Sequence, residues 1–156
     1  MKITLSPIGT VHSPFKHADE IRRNQNWRPE GSDPIRGELE IFPGFAAGLD
    51  SIDGFSHIIV LFAFHEAETG NLTAQPPFET EEKGVFATRS PRRPNPLGLT
   101  VLRLLTRKEN VLEVSGVDMI EETPILDIKP YTPRDQKRDA SFGWLETVGH
   151  TDTSAR

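Results

Sequence analysis

Cysteine is absent from this 156-residue sequence, and so is any long apolar run. Without cysteine the chain can form no disulfide and can contain neither a cysteine nucleophile nor a cysteine-ligated zinc site. No segment approaches the roughly 20 apolar residues that a membrane-spanning helix requires. The first residues, MKITLSPIGT, also lack the apolar core of a signal peptide. We therefore expect a cytoplasmic protein with no membrane segment.

The chain also lacks an excess of positive charge, since its net charge is −5. This balance argues mildly against bulk affinity for nucleic acid, whose phosphates attract cations. The net charge does not exclude a local basic patch, because several arginines are clustered at positions 22, 23, 28, 36, 89, 92 and 93. The length predicts one domain with a substantial core. We place this domain at residues 1–133 and expect a C-terminal arm at 134–156, anchored by Phe142, Trp144 and Leu145.

The most unusual stretch runs from Gly84 to Leu99 and reads GVFATRSPRRPNPLGL. Residues 85–87 are expected to form a short strand. The arginines and prolines that follow are Arg89, Arg92, Arg93, Pro91, Pro94 and Pro96. Because proline fixes φ and lacks an N–H, this run excludes both a helix and a central strand. The pattern predicts a stiff loop whose guanidinium groups suit phosphate or carboxylate. A plain surface loop with solvated arginines is the alternative.

Alternating and apolar segments predict an all-β protein. The expected strands are Ile3–Val11, Arg36–Phe42, Phe55–Phe64, Leu99–Thr106, Val111–Asp118 and Ile125–Tyr131. The third is the most apolar and is interpreted as a central strand buried on both faces. About six or seven strands with short helices and long loops indicate a small β-barrel or a strongly curled sheet.

Two groups of polar residues accompany these strands. His65 and Glu66 follow the most apolar strand, where a turn role is the simpler interpretation. Asp127, Lys129 and Tyr131 fall on one face of the last strand. Such a row forms either a surface ladder or the wall of a polar cavity, and spacing alone favours the ladder. The sequence contains no Rossmann fingerprint, P-loop or HExxH motif, so no metal is expected and no cofactor is revealed.

Four stretches resemble one family. They read IGTVHSPFK from Ile8, GLDSIDGFSHIIVLFAFH from Gly48, GVFATRSPRRPNPLGL from Gly84 and DMIEETPILDIKPY from Asp118. They are similar to the TsaA-like family, whose characterised members are the TrmO methyltransferases of tRNA, and they span most of residues 5–133. One departure is Glu122, where the family more often has glycine.

The resemblance implies a function. TrmO-like proteins bind S-adenosylmethionine on a small β-barrel and methylate N6 of the threonylcarbamoylated adenosine beside the tRNA anticodon. They tend to form homodimers with the cofactor near the subunit boundary. The expected partners of this chain are thus S-adenosylmethionine, tRNA and a second copy.

The resemblance also implies site residues. The cofactor-binding set would be Arg22, Arg23, Asn24, His65, Glu66, Arg89, Leu99, Ser115, Gly116, Val117 and Asp118. The first three depart from the family's proline-arginine-glutamine-like motif. The catalytic set would be Asp127 as general base, with Lys129 and Tyr131 positioning the substrate. Arg92 and Arg93 would contact RNA phosphates.

Two other functions remain open. The chain could be a module that binds S-adenosylmethionine or another nucleotide without catalysis. It could also be a methyltransferase with a different substrate, because Glu122 and Arg22-Arg23-Asn24 depart from the family pattern.

Overall fold

A computed structural model describes residues 1–21, 34–77 and 79–147. The chain divides into two compact units. The barrel unit comprises residues 1–67 and 96–131, and the loop unit comprises residues 68–95 and 132–156. The domain boundary after residue 133 stays a prediction.

The described residues form eight strands. In chain order they are β1 Gly9–His12, β2 Arg36–Ile41, β3 His57–Ala63, β4 Thr73–Ala74, β5 Lys83–Gly84, β6 Leu97–Lys108, β7 Val111–Ser115 and β8 Pro124–Pro130. Six of them close into an antiparallel barrel in the order β1-β2-β7-β6-β3-β8, and β4 pairs with β5 in the loop unit. The predicted all-β barrel is confirmed.

Residues 18–21 are helical, and the other helices of the described residues are short 3₁₀ segments. Their bounds are Pro43–Leu49, Val85–Ala87, Pro133–Asp135 and Gly143–Thr147. Across the described part of the chain, no helix reaches the length and hydrophobicity needed to cross a bilayer.

The barrel interior is filled by apolar side chains. In β2, Leu39 and Ile41 are buried while Glu38 and Glu40 face outward, as the alternation predicts. The other strands contribute Val11, Ile58, Val60, Phe62, Leu102, Leu112, Val114 and Ile125 to the same core. A barrel of about eight strands is just wide enough for its own side chains. A six-stranded barrel therefore has no room for a nucleotide inside, and its ligands must bind to the outer face or to an end.

One end of the barrel collects three connections. Each strand is antiparallel to both of its neighbours, so β1, β3 and β7 all finish at the same end. The connections that start there are residues 13–35, 64–96 and 116–123. The second leaves and returns side by side, because the Phe64 N–H donates to the Pro96 carbonyl at 2.8 Å. We call this the connection end.

The structure corrects three predicted strands. The first begins at Gly9 rather than Ile3. β3 is buried on one face only, since the outer face of a closed barrel strand has no core to cover it. Residues 85–87 form a 3₁₀ turn instead of a strand, with the Thr88 N–H donating to the Val85 carbonyl at 3.1 Å.

The last two predicted strands also end earlier, β7 at Ser115 rather than Asp118 and β8 at Pro130 rather than Tyr131. β7 stops at Ser115, because Gly116 takes a left-handed φ of 91° that no strand continues through. Glu122, the departure from the family pattern, adopts a φ of 63°. Its N–H donates to the Val11 carbonyl at 2.9 Å. The tight turn before β8 is therefore kept without the glycine.

Candidate functional site

The outer face of β8, β3 and β6 brings the predicted catalytic row beside Leu99. Asp127 pairs with Leu61, and Leu61 pairs in turn with Leu99. Residues directly paired in an antiparallel sheet point to the same face. Since neighbouring strands lie about 4.8 Å apart, Asp127 and Leu99 are about 10 Å apart across the sheet. Two residue pairs along, on the same face, Lys129 lies beside Ile59.

A β-bulge in β8 sets the orientation of this row. Phe62 pairs with Ile125 and Leu61 pairs with Asp127, so Leu126 has no partner on β3. Simple alternation would place Ile125 and Asp127 on one face. The extra residue reverses the alternation, so Ile125 is fully buried while the carboxylate of Asp127 reaches the outer face. The bulge thus lets one strand serve both the core and the candidate site.

The polar row is held by contacts of its own. Asp127 Oδ2 lies 2.8 Å from Lys129 Nζ, and Oδ1 accepts the Ile128 N–H at 3.0 Å. Tyr131 packs its ring 6.1 Å from the ring of His57, whose Nδ1 lies 2.8 Å from Ser56 Oγ. The carboxylate, ammonium and phenol are therefore oriented before any ligand arrives. Such a row can accept a proton and bind a polar substrate.

Beside the polar row lies an apolar face that the sequence analysis missed. Leu97, Leu99 and Val101 of β6 are 47%, 47% and 44% exposed. The inward positions between them are taken by Gly98 and Thr100. The signal was present in LGLTV, where the larger apolar residues occupy alternate positions, but alternation alone does not reveal which set faces the core.

Apart from Leu99, five of the predicted cofactor residues lie at or next to the connection end. His65 and Glu66 follow β3 and are exposed. Ser115 closes β7, and the N–H groups of Gly116 and Val117 donate to the Ile35 carbonyl at 2.8 and 3.1 Å. Val117 itself is buried in the core, so only its backbone can face a ligand.

Asp118 completes the group of residues after β7, and it is partly buried. The remaining predicted cofactor residues of the chain's first half, Arg22, Arg23 and Asn24, lie outside the described residues. Within the described ranges no cluster of histidine and acidic side chains is arranged to bind a metal ion.

An ionic clamp, formed by His12, Glu40 and Glu121, supports the connection end. His12 Nε2 lies 2.6 Å from Glu40 Oε2, and Nδ1 lies 3.1 Å from Glu121 Oε1. Glu121 Oε2 also accepts the Ser13 N–H at 2.6 Å. The clamp ties β1 and β2 to the connection that carries Gly116, Val117 and Asp118. Sequence reasoning missed this clamp, because nothing local links His12 to position 121.

The clamp shifts two pKa values. The hydrogen bond to Glu40, helped by that to Glu121, raises the pKa of His12 above 6.5. The Ser13 N–H and His12 lower the pKa of Glu121 below 4.5. The histidine contribution is complete below pH 6.5 and is lost as pH rises through the raised value. The carboxylate contribution is present above pH 4.5 and is lost as pH falls through the lowered value.

We expect His12→Ala to reduce the free energy of unfolding by at most about 1 kcal/mol near pH 5.5, since the pair is partly exposed. The reduction should be smaller above pH 8, because the imidazole of wild-type His12 loses its charge as pH rises through its raised pKa. Urea unfolding at both pH values measures it. His17→Ala, an exposed histidine outside the clamp, is the control. An equal loss at the two pH values would contradict the clamp.

In the loop unit, the predicted stiff loop is present. Residues 88–96 form neither helix nor strand. Thr88 Oγ1 donates to the Val85 carbonyl at 2.9 Å, and the Ser90 N–H donates back to Thr88 Oγ1 at 3.3 Å. Arg93 Nη1 donates to the carbonyls of Thr88 and Ser90 at 3.1 and 3.2 Å. Local hydrogen bonds therefore reinforce the proline-rich backbone.

The three arginines of this loop have different surroundings. Arg89 and Arg92 are exposed, whereas Arg93 is partly buried and holds the loop backbone. Arg89 and Arg92 are thus the cations most available to an anionic ligand.

The predicted C-terminal anchor reduces to one residue. Trp144 Nε1 donates to the Ala87 carbonyl at 2.9 Å, and Lys83 Nζ lies 5.7 Å from its ring. Phe142 and Leu145 are 63% and 45% exposed.

An open groove of about 420 Å³ lies at the barrel end opposite the connection end. Its lining residues are Pro43, Ala46, Ala47, Arg107, Glu109 and Asn110. Arg107 is already engaged, with Nη1 donating to the Leu49 carbonyl at 2.9 Å. None of the predicted site residues that the structure describes lines this groove.

The model of the tRNA-methyltransferase O N-terminal domain family matches residues 10–136. The chain belongs to this family. The resemblance that the four stretches indicated is confirmed, and so is the small barrel expected from it.

Individual relatives of this TrmO-family chain span different lengths. A probable S-adenosyl-L-methionine-binding protein of Pyrococcus abyssi is 43% identical over all of this chain and 83% of its own length. A tRNA (adenine(37)-N6)-methyltransferase of Rattus norvegicus is 34% identical over 96% of this chain but 36% of its own length. The crystal structure of TrmO from Pseudomonas aeruginosa superposes with a TM-score of 0.71 at 36% identity, covering 92% of this chain and 62% of that one.

Proposed function

We propose that this TrmO-family chain is an S-adenosylmethionine-dependent methyltransferase that acts on tRNA in the cytoplasm. The observation that carries the proposal is the oriented Asp127–Lys129–Tyr131 row beside Leu99 on the outer face of the barrel. Relatives named as S-adenosylmethionine-binding proteins and as a tRNA methyltransferase support it.

The proposed acceptor is N6 of threonylcarbamoyladenosine next to the anticodon. This nitrogen carries a carbonyl substituent, so its lone pair is delocalised and it is a weak nucleophile. Alignment with the methyl group and removal of its proton must both be assisted. Asp127 is the proposed base, since its carboxylate lies on the outer face. Lys129 and Tyr131 are proposed to position the substrate.

The proposed cofactor contacts follow the chemistry of the methyl donor. Arg89 binds the carboxylate of its amino-acid tail. Leu99 packs against an apolar part of the ligand, and Asp118 accepts a hydrogen bond from the ribose or amine. The remaining contacts come from His65 and Glu66 and from the backbone at Ser115–Val117. Arg22, Arg23 and Asn24 complete the proposed set.

We also propose a homodimer whose interface includes the apolar face of β6. Exposed leucine and valine side chains at alternate positions of one strand favour burial against another surface. Sedimentation at micromolar concentration tests the proposal, and a monomeric mass would count against it.

Incubation with methyl-labelled S-adenosylmethionine and total tRNA, followed by nucleoside analysis, tests the function. We expect label in methylated threonylcarbamoyladenosine. Label in another nucleoside would indicate a different substrate. Calorimetric binding of the cofactor without transfer would identify a binding module, and absence of binding would overturn the whole proposal.

The loop arginines give a prediction of their own. Arg92→Ala should weaken tRNA binding and reduce the slope of log Kd against log salt by about 0.7–0.9, the effect of losing one phosphate contact. Its melting temperature should not change, because the side chain is exposed. Arg93→Ala should lower the melting temperature, since its guanidinium holds two loop carbonyls. An unchanged salt slope for Arg92→Ala would remove that residue from the interface.

A further inference from the structure

Phe86 is an exposed aromatic ring on a rigid turn. Its relative exposure is 79%, whereas that of the preceding Val85 is 1%. The Val85 carbonyl accepts both the N–H and the hydroxyl of Thr88, at 3.1 and 2.9 Å. On the other side, the Ala87 carbonyl accepts the indole N–H of Trp144. The backbone on both sides of Phe86 is fixed while the ring itself faces solvent.

The surroundings of this ring in the sequence are cationic. Arg89 and Arg92 follow it three and six positions later, and both are exposed. The stretch 84–99 contains no aspartate or glutamate. A rigid aromatic ring with neighbouring cations matches proteins that bind single-stranded nucleic acid, where bases stack on aromatic rings while basic groups follow the phosphates.

We propose that Phe86 is a stacking platform for an unpaired base of the RNA substrate, with Arg92 contacting a neighbouring phosphate. This inference rests on the proposed tRNA substrate and adds to it a residue that distinguishes unpaired from paired RNA. A paired base has both faces covered by its neighbours, so the platform selects a loop over a helix. Because every base has a π-face, the contact favours unpaired RNA without specifying its sequence.

The test uses the full chain and two RNA probes. One is a hairpin with an unpaired loop of anticodon size, and the other is a fully paired duplex. Fluorescence anisotropy measures Kd for wild type, Phe86→Ala, Phe86→Leu and Phe86→Trp. Leu72→Ala, which removes another exposed apolar side chain (67% exposed) of the loop unit, is the matched control.

Phe86→Ala and Phe86→Leu are expected to raise Kd for the hairpin by about 5- to 150-fold, the range for losing one base–aromatic stack. Phe86→Trp should retain affinity, and its added fluorescence should be quenched by the hairpin. Duplex binding should be unchanged in every variant, and Leu72→Ala should bind as wild type does.

Wild-type affinity of Phe86→Leu for the hairpin would overturn the platform, because leucine keeps the apolar character without the ring. Equal weakening toward hairpin and duplex would also overturn it. A change in the sedimentation mass of the Phe86 variants without a change in RNA affinity would also overturn it, because a second copy of the chain would then be the partner that covers Phe86. Methyl transfer by wild type, measured in parallel, separates failure of this inference from failure of the proposed function.

Discussion

Asp127→Asn is expected to lower kcat for tRNA methylation by about 10²–10⁴-fold, the usual contribution of a general base. The amide keeps the size of the carboxylate but cannot take the proton from N6. The dissociation constant for S-adenosylmethionine should not change, because Asp127 is placed in the catalytic row and not in the cofactor set. Single-turnover methyl transfer and calorimetry measure the two quantities separately.

Asp50→Asn is the control for this substitution. Asp50 is an exposed carboxylate that ends the 3₁₀ helix at Pro43–Leu49, in the connection between β2 and β3. Its replacement should leave kcat unchanged. If Asp127→Asn retains wild-type turnover with normal cofactor binding, Asp127 is not the base.

Gly98→Ala is expected to destabilise the barrel strongly. A Cβ at this position would lie 2.8 Å from Phe62 Cε1 and closer still to two other carbons of the same ring. Phe62 is 4% exposed and packs edge-on against Phe64 at 5.1 Å between centroids, so its ring has little freedom to move. We expect a loss of about 2–3 kcal/mol in the free energy of unfolding, in the upper part of the range for overpacking a core.

A double-mutant cycle isolates the cause of that loss. Phe62→Leu removes the ring, so Gly98→Ala should cost less in that background, with a coupling energy of at least about 1 kcal/mol. Gly44→Ala is the control, since a Cβ there meets nothing within 4 Å. Urea unfolding measures all the variants. The same cost for Gly98→Ala in both backgrounds would show that the ring is not responsible.

The candidate site was predictable from sequence only where a pattern or a resemblance reached it. The alternation of 127, 129 and 131 placed three polar side chains on one face, and the resemblance gave them a role. The bulge that buries Ile125 while exposing Asp127 left no mark in the sequence, because it is a property of the pairing between β8 and β3. The alternation of apolar residues in β6 was visible in the sequence, but it did not show which set of side chains faces outward.

Arg93 and His12 show the same limit in another way. Composition grouped Arg93 with Arg89 and Arg92, but hydrogen bonds to two loop carbonyls separate it from them. His12 and Glu121 are 109 positions apart and meet only because the barrel closes.

By itself the sequence determined what depends on near neighbours: the strand periodicity of β2, the irregular path that three prolines impose on residues 88–96, and the exclusion of cysteine chemistry. Only the tertiary structure decided which strand faces turn outward, where β8 is bulged, and that three distant connections share one end. The reason is physical, because alternation arises within a strand, whereas register and closure arise from hydrogen bonds between strands far apart in the chain.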